Sequence, residues 1–585
     1  MMIRILLLLT SMTAHAWAQY SRGVNLAGAE FGENRIPGSL NTDYTYNSEA
    51  SFRYFGDKNL TLIRLPVRWE RLQPTLGGPL EAVNLSALKR DIGWAKAHGD
   101  KVIIDVHNYG RYKINEAGVV KEYVIDNFYD GVVKVSGADF ADLWVKLSNE
   151  FKLEAAVYAY DLMNEPHDMG TADWKSISQA VLTAIRNNGD DKLIMVPGDS
   201  YSSADRWPVV HGPVSWISDP VNKFVYEAHQ YFDRDNSGTY TRTYDQELAL
   251  NPNLATVGQT RLAHFVDWCR SNSVKGFLGE YGIPGNDPRW DTVLDNFLRS
   301  LDDAAFDGAY WAAGEWWGAY SLSVQPLNSF TIDKPHLGTL AKHLAPPFFT
   351  TLPAATSRSF TLAPESLGSG YGVGLAPITQ AAALPLPTSI SGLQVELTDS
   401  NGFTTLAPLI YVSPTQINYV VPAGTAAGHV TAAVKQMGNV VATGSLQVES
   451  VAPSLFSANG NGYGVAAAQV LRIKSDGTQS YEPVARADQK QQAFAPEPID
   501  FGDPSDRLFV LLYGTGFRNL SGIDGASLQI GPTGVPLLFA GAQPDFPGLD
   551  QANAELPRSL AGAGEVPVLL KVDGKTANPV TLMFR

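Results

Sequence analysis

The chain has 585 residues, of which 44% are hydrophobic, 10% aromatic and 18% charged. One hydrophobic core seldom grows beyond about 250–300 residues, so at least two domains are expected, and the apolar content excludes a disordered chain. Lys and Arg number 44 against 59 Asp and Glu, a net charge of -15 that argues against a polyanionic partner such as nucleic acid. The single cysteine, Cys269, excludes an internal disulfide and a cysteine-based zinc site.

The first residues read as an address. Arg4 precedes an apolar run containing four consecutive leucines, and Ala14-His15-Ala16 and Ala16-Trp17-Ala18 are small-residue cleavage sites. Residues 1–18 are therefore expected to be a signal peptide, cut after Ala18, and the protein secreted and extracellular. The run is shorter than the ~20 residues a membrane span needs, and no later stretch is long and apolar enough.

Eight strand-like runs follow: Gly23–Leu26, Leu60–Leu65, Lys101–Val106, Ala156–Met163, Lys192–Pro197, Lys223–Ala228, Lys275–Gly279 and Gly308–Ala312. Helical patterns at Leu85–His98, Phe140–Lys152, Trp174–Asn187, Leu262–Ser271 and Trp290–Ala304 lie between most of them. The alternation predicts an α/β fold, a (β/α)8 barrel over residues 19–345. All the tryptophans lie between Trp17 and Trp317; beyond His343, Gly, Pro, Val, Thr and Ser dominate. Residues 346–357 read as a Pro-rich linker. A loose repeat follows, Gln416-Ile417-Asn418 with Val421-Pro422, then Gln551-Ala552-Asn553 with Leu556-Pro557. Each copy leads to a Val-rich strand and a hairpin turn, at Gly438-Asn439 and at Asp573-Gly574. Two all-β, immunoglobulin-like sandwich modules are expected, over 358–450 and 451–585.

Reactive residues of such a barrel stand at the carboxyl ends of its strands. There the sequence places Arg64, Asp105-Val106-His107, Asn164-Glu165-Pro166-His167, His229-Gln230-Tyr231, Gly279-Glu280-Tyr281-Gly282 and Trp311. Strands four and seven face each other, so Glu165 and Glu280 are expected to converge, the pair that glycoside hydrolysis requires. Arg64 can hold a carboxylate ionised, Asn164 can donate to a sugar hydroxyl, and Trp311 offers a face for a pyranose ring. Singly these signals are weak: an Asn-Glu-Pro arises by chance in about one chain in ten of this length. It is their joint placement, in barrel order, that carries the reading. Glu30 is a third carboxylate near a strand end, not expected to be catalytic. No metal ligand set is expected, because the histidines are scattered.

The stretches Ile63–Val67, Ile104–Tyr112, Tyr160–Asp168, His229–Tyr240, Leu278–Gly282 and Tyr310–Gly314 resemble glycoside hydrolase family 5. With Gly23–Gly28 and Tyr231–Thr239, the likeness is to its subfamily 5 of secreted endo-β-1,4-glucanases. The resemblance implies Glu165 as acid/base and Glu280 as nucleophile. It places Arg64, His107, Asn164, His229, Tyr231 and Trp311 around the substrate, and it implies no cofactor. The lack of disulfides departs from fungal relatives. The C-terminal third resembles a tandem β-sandwich region of secreted soil-bacterial proteins, through Leu409–Asn418 and Leu512–Phe517. A monomer acting on a β-glucan is expected, its modules serving as spacers or touching a cell surface or matrix. A mannanase, a mixed-linkage β-glucanase and a non-catalytic glycan-binding surface protein are the alternatives. Every expected site residue precedes the linker, so an independent barrel is expected.

Overall fold

The computed structural model describes residues 20–344, 347–488 and 493–585. The expected signal peptide, Ala345 at the end of the expected barrel and Pro346 at the start of the expected linker lie outside the described residues.

Eight parallel strands close into a barrel: β1 (Arg22–Leu26), β2 (Leu62–Val67), β3 (Lys101–Val106), β4 (Val157–Asp161), β5 (Leu193–Pro197), β6 (Phe224–His229), β7 (Gly276–Glu280) and β8 (Asp307–Ala313). Neighbours in the ring are neighbours in sequence, and β8 closes on β1. Short apolar runs bounded by helices become strands because each must be covered on both faces. Helices Ala82–His98, Gly137–Phe151, Trp174–Asn187, Val257–Ser271 and Trp290–Ala304 provide the outer cover. Ser136 and Asp139 form a capping box at the start of the second of these helices.

Inside the ring, Leu62, Ile103, Ala159, Met195, Val225, Phe277 and Ala309 form an apolar plug. Successive side chains on a strand alternate faces, so the next inward positions lie two residues on, about 6–7 Å nearer the mouth. Above the plug these are Arg64, Asp105, Asp161 and Glu227, all fully buried. The lower barrel is thus a packed core and the upper barrel a charged layer.

The C-terminal region is two stacked pairs of largely antiparallel sheets. In the first pair, Thr350–Pro353, Leu367–Tyr371, Gln416–Val420, Leu409–Val412 and Gln380–Ala381 make one sheet. The other is Thr361–Leu362, Asn439–Val448, Gly428–Gln436, Leu393–Thr398 and Thr404–Leu406. Their facing sides bury Val395, Leu409, Ile417, Tyr419, Val434 and Val448. The second pair buries Val510, Leu512, Ile530, Val568, Leu570 and Leu582. The repeat is a physical one: Gln416 Nε2 donates to Asn418 Oδ1 and Gln551 Nε2 to Asn553 Oδ1, each at 2.8 Å. Both hairpins turn through two left-handed residues, Asp573-Gly574 as expected but Met437-Gly438 rather than Gly438-Asn439.

The expected linker, 346–357, is corrected for its described part. Thr350–Pro353 is a fully buried strand that pairs antiparallel with Leu367–Tyr371. Its proline stands last on an edge strand, where the missing N–H is no loss.

Candidate active site

The charged layer centres on Arg64. Its Nε donates to Asp161 Oδ2 (2.8 Å), Nη2 to Asn164 Oδ1 (3.0 Å), and Nη1 to Asn25 Oδ1 (2.9 Å) and Glu280 Oε1 (3.1 Å). Asp105 Oδ2 lies 3.2 Å from the same Nη1. Burial works against the guanidinium charge, but Asp105, Asp161 and Glu280 outweigh it and hold Arg64 protonated. Burial, with Glu227 and Asp105 adding to it against the pull of Arg64, drives the Asp161 carboxyl well above the ordinary range.

Glu280 reaches the mouth through an irregularity. Ala228 pairs with Leu278 and His229 with Glu280, so strand β7 carries one extra residue, Gly279. Such a bulge re-aims the next side chain. A Cβ on Gly279 would stand 1.7 Å from Glu227 Oε1, so only glycine leaves room for that buried carboxylate. Glu280 Oε2 accepts from the Tyr231 hydroxyl at 2.8 Å. Burial raises the Glu280 pKa; His229 and Arg64 oppose this, and Glu165 reinforces it. Burial and the Glu280 charge push Tyr231 far up, so its hydroxyl remains a donor.

Glu165 occupies a left-handed backbone position, φ 43°, beyond the end of β4. Its Oε1 lies 2.6 Å from His229 Nδ1, while His229 Nε2 lies 2.5 Å from Glu227 Oε1. Burial alone would discharge His229, but Glu227, Glu280 and Glu165 hold it protonated. His229 therefore donates to Glu165 Oε1, which leaves Oε2 clear of that donor. Ligand atoms of Glu165, His229 and Glu280 all lie within 4.8 Å of one another, a spacing that would also suit a cation. Both nitrogens of His229 already face carboxylates, Glu165 on one side and Glu227 on the other.

The walls are aromatic. His107, tied to Asp105 by a 2.6 Å contact, stacks on Trp311 at 5.4 Å between ring centres. Trp317 meets Trp311 edge-on and stacks on Tyr320. Trp317 joins the cluster, whereas Trp316 is 42% exposed and faces solvent. Glu30 is buried with Oε2 on the Gly28 N–H and Oε1 without a partner.

All eight expected site residues thus meet at one mouth. Sequence reasoning passed over Asn25, Asp161, Glu227 and Tyr201. Asp161 and Glu227 stand two residues beyond the inward apolar positions Ala159 and Val225, a stride that points inward only once the ring is closed. Tyr201, half exposed and stacked on His167 at 4.1 Å, lies in a run of three left-handed residues and shows no such stride.

A closed barrel with two carboxylates facing across its mouth, ringed by donors and aromatic faces, defines a glycoside hydrolase. The profile of Cellulase (glycosyl hydrolase family 5) matches residues 23–316, half the chain. Probable endo-β-1,4-glucanase B of Aspergillus oryzae is 32% identical over 310 residues, 52% of this chain and 85% of that protein. Endo-β-1,4-glucanase A of Emericella nidulans is also 32% identical over 310 residues, 52% of this chain and 87% of that protein. Pseudomonas stutzeri endoglucanase Cel5A in complex with cellobiose is 38% identical, with a TM-score of 0.50, over 56% of this chain and 92% of that one. The chain belongs to glycosyl hydrolase family 5.

Proposed function

We propose that this chain is an endo-β-1,4-glucanase that retains anomeric configuration, with Glu280 as nucleophile and Glu165 as acid/base. The observation that carries the mechanism is the closeness of the two carboxylates, whose oxygens lie within 4.8 Å. Retaining enzymes hold the pair about 5–5.5 Å apart, whereas inversion needs room for an intervening water, roughly 6.5–9.5 Å. The environments then divide the roles. Glu280 is the more enclosed, with one oxygen on Arg64 and the other on Tyr231, donors that spread its negative charge as it attacks the anomeric carbon. Glu165 has one oxygen on His229 and the other free for the leaving glycosidic oxygen. Protonation by Glu165 releases the aglycone; the sugar stays esterified to Glu280; Glu165 then takes a proton from water, which displaces the sugar and frees Glu280. Asn164, its carbonyl oxygen held by Arg64, has only its NH2 to offer a sugar hydroxyl. Trp311 supplies the apolar face for a ring.

The polymeric substrate also suggests an exported enzyme that acts as a monomer outside the cell. Arg4, the leucine run and the Ala16-Trp17-Ala18 site support export. Among the described residues no helix is long and apolar enough to cross a membrane. The test is hydrolysis of carboxymethylcellulose, barley β-glucan and mannan, with product stereochemistry followed by NMR. Chain cleavage of the first two with β products at early times is expected. Activity confined to mannan, or α products, overturns the reading.

A further inference from the structure

The sequence suggests passenger sandwiches, but the structure has them packed along the side of the barrel, from the foot of its strands up to the loop that follows the nucleophile. Phe348 and Phe360 pack on the barrel core, and Lys58 lies over the Phe360 ring at 4.1 Å. Two tyrosines that could have served a glycan face turn inward instead. Tyr371 lies under Lys342, and Tyr463 meets Thr292 at 3.4 Å. Ser357 O presses so close to Gly338 that a Cβ there would stand 1.8 Å from it.

One side chain reaches further. Arg358, between the first strands of the first sandwich, donates Nη1 to Asp291 Oδ2 (2.7 Å) and Nη2 to Gly285 O (2.8 Å). Gly285 lies in the loop that follows Glu280. Its N–H donates to Ser321 O in the loop after β8, also at 2.8 Å. A Cβ on Gly285 would stand 2.2 Å from His336 Nδ1, so the backbone is packed tight on this side too. Ser321 follows Tyr320, which stacks on Trp317 at 4.3 Å, and Trp317 in turn meets Trp311 at 5.8 Å. An unbroken chain of contacts therefore runs from the sandwich to the aromatic wall of the cleft.

We propose that Arg358 is a positioning residue of the glucan cleft: it fixes Gly285 from outside the barrel and, through Ser321, the Tyr320–Trp317–Trp311 wall. The sandwiches then belong to the substrate-binding unit. The inference rests on the proposed glucanase reading of the cleft. Arg64, Tyr231 and His229 are held from within the barrel, so their setting of the two carboxylates does not depend on Arg358.

The full chain tests this with carboxymethylcellulose. Wild-type hydrolysis is measured first, and its absence would refute the glucanase reading rather than this one. Arg358→Met leaves the buried Asp291 carboxylate unpaired and is expected to lower the unfolding midpoint. Arg358→Met/Asp291→Asn removes that charge and is expected to restore the midpoint. KM should nevertheless remain raised about fivefold, because Gly285 O still lacks its donor, with kcat within about twofold. A wild-type KM in the double variant, or a KM that follows the midpoint back, overturns the proposal. Should the single variant fail to fold, the double variant decides alone. Should both fail, Arg358→Lys decides: its single ammonium cannot hold Asp291 and Gly285 O as a planar fork does. An unchanged KM there overturns the proposal equally.

Discussion

Barrel and sandwiches bury charge in different ways. In the second sandwich Asp550 is fully buried, and Arg518 Nε meets it at 2.7 Å while its Nη1 lies 3.7 Å from Glu365. At the barrel mouth Asp105, Asp161, Glu165, Glu227 and Glu280 surround only two fixed cations, Arg64 and protonated His229. Left-handed non-glycine positions are spread through the turns of the barrel, at the mouth and away from it, and are fewer in the sandwiches. Tyr109, Glu165, Asp168, Ser200, Tyr201 and Ser202 are left-handed around the mouth, whereas in the sandwiches the described non-glycine cases are Glu365, Ser391, Met437 and Asp573. Each such residue costs about 1–2 kcal/mol. The reaction centre gathers more carboxyls around each cation than the Asp550 site does, and the surrounding fold must hold them in place.

The sharpest way to break this contrast is at the two glutamates. Glu280→Gln should abolish hydrolysis of every glucan, with no glycosyl-enzyme detectable by intact-mass spectrometry. Glu165→Gln should lose about 10²–10⁴-fold on glucan yet still be glycosylated by a dinitrophenyl cellobioside, whose leaving group needs little acid help. Equal losses on that substrate would refute the division of roles. A smaller contrast sets Arg64 against a buried apolar residue. Arg64→Met strands the acids around it, so urea unfolding should show a loss of about 3–5 kcal/mol together with the loss of activity. Leu570→Ala, in the core of the second sandwich, should cost about 2–5 kcal/mol and leave kcat unchanged below the transition. The smallest effect is in pH. With its pKa raised, Glu280 stays protonated above the ordinary glutamate value of about 4.3 and attacks only once ionised. The acid limb of kcat/KM should lie above that value, and an acid limb at or below it would mean that Arg64 and His229 dominate.

Much of this was legible. Strands bounded by helices announced the barrel, and the barrel rule turned scattered Arg64, His107, Asn164, Glu165, His229, Tyr231, Glu280 and Trp311 into one site. The buried acids were not legible, because an aspartate at the end of Lys101–Val106 or Val157–Asp161 reads as a solvated terminus until ring closure turns it inward. Strand Thr350–Pro353 hid among prolines, since composition cannot distinguish an edge strand from a tether. The grip of Arg358 on Gly285 joins residues 73 apart in sequence, and no local pattern marks such a pair.

The ring order also sets a timetable. Strand β1 has both its neighbours only when β8, ending at Ala313, is complete. A chain made from its amino end first can thus close the barrel, nucleophile included, before Arg358 has been added. The clamp on the loop after Glu280 arrives later, with the first strands of the sandwich. The enzyme's binding surface is therefore finished by a part of the chain synthesised after its chemistry is in place.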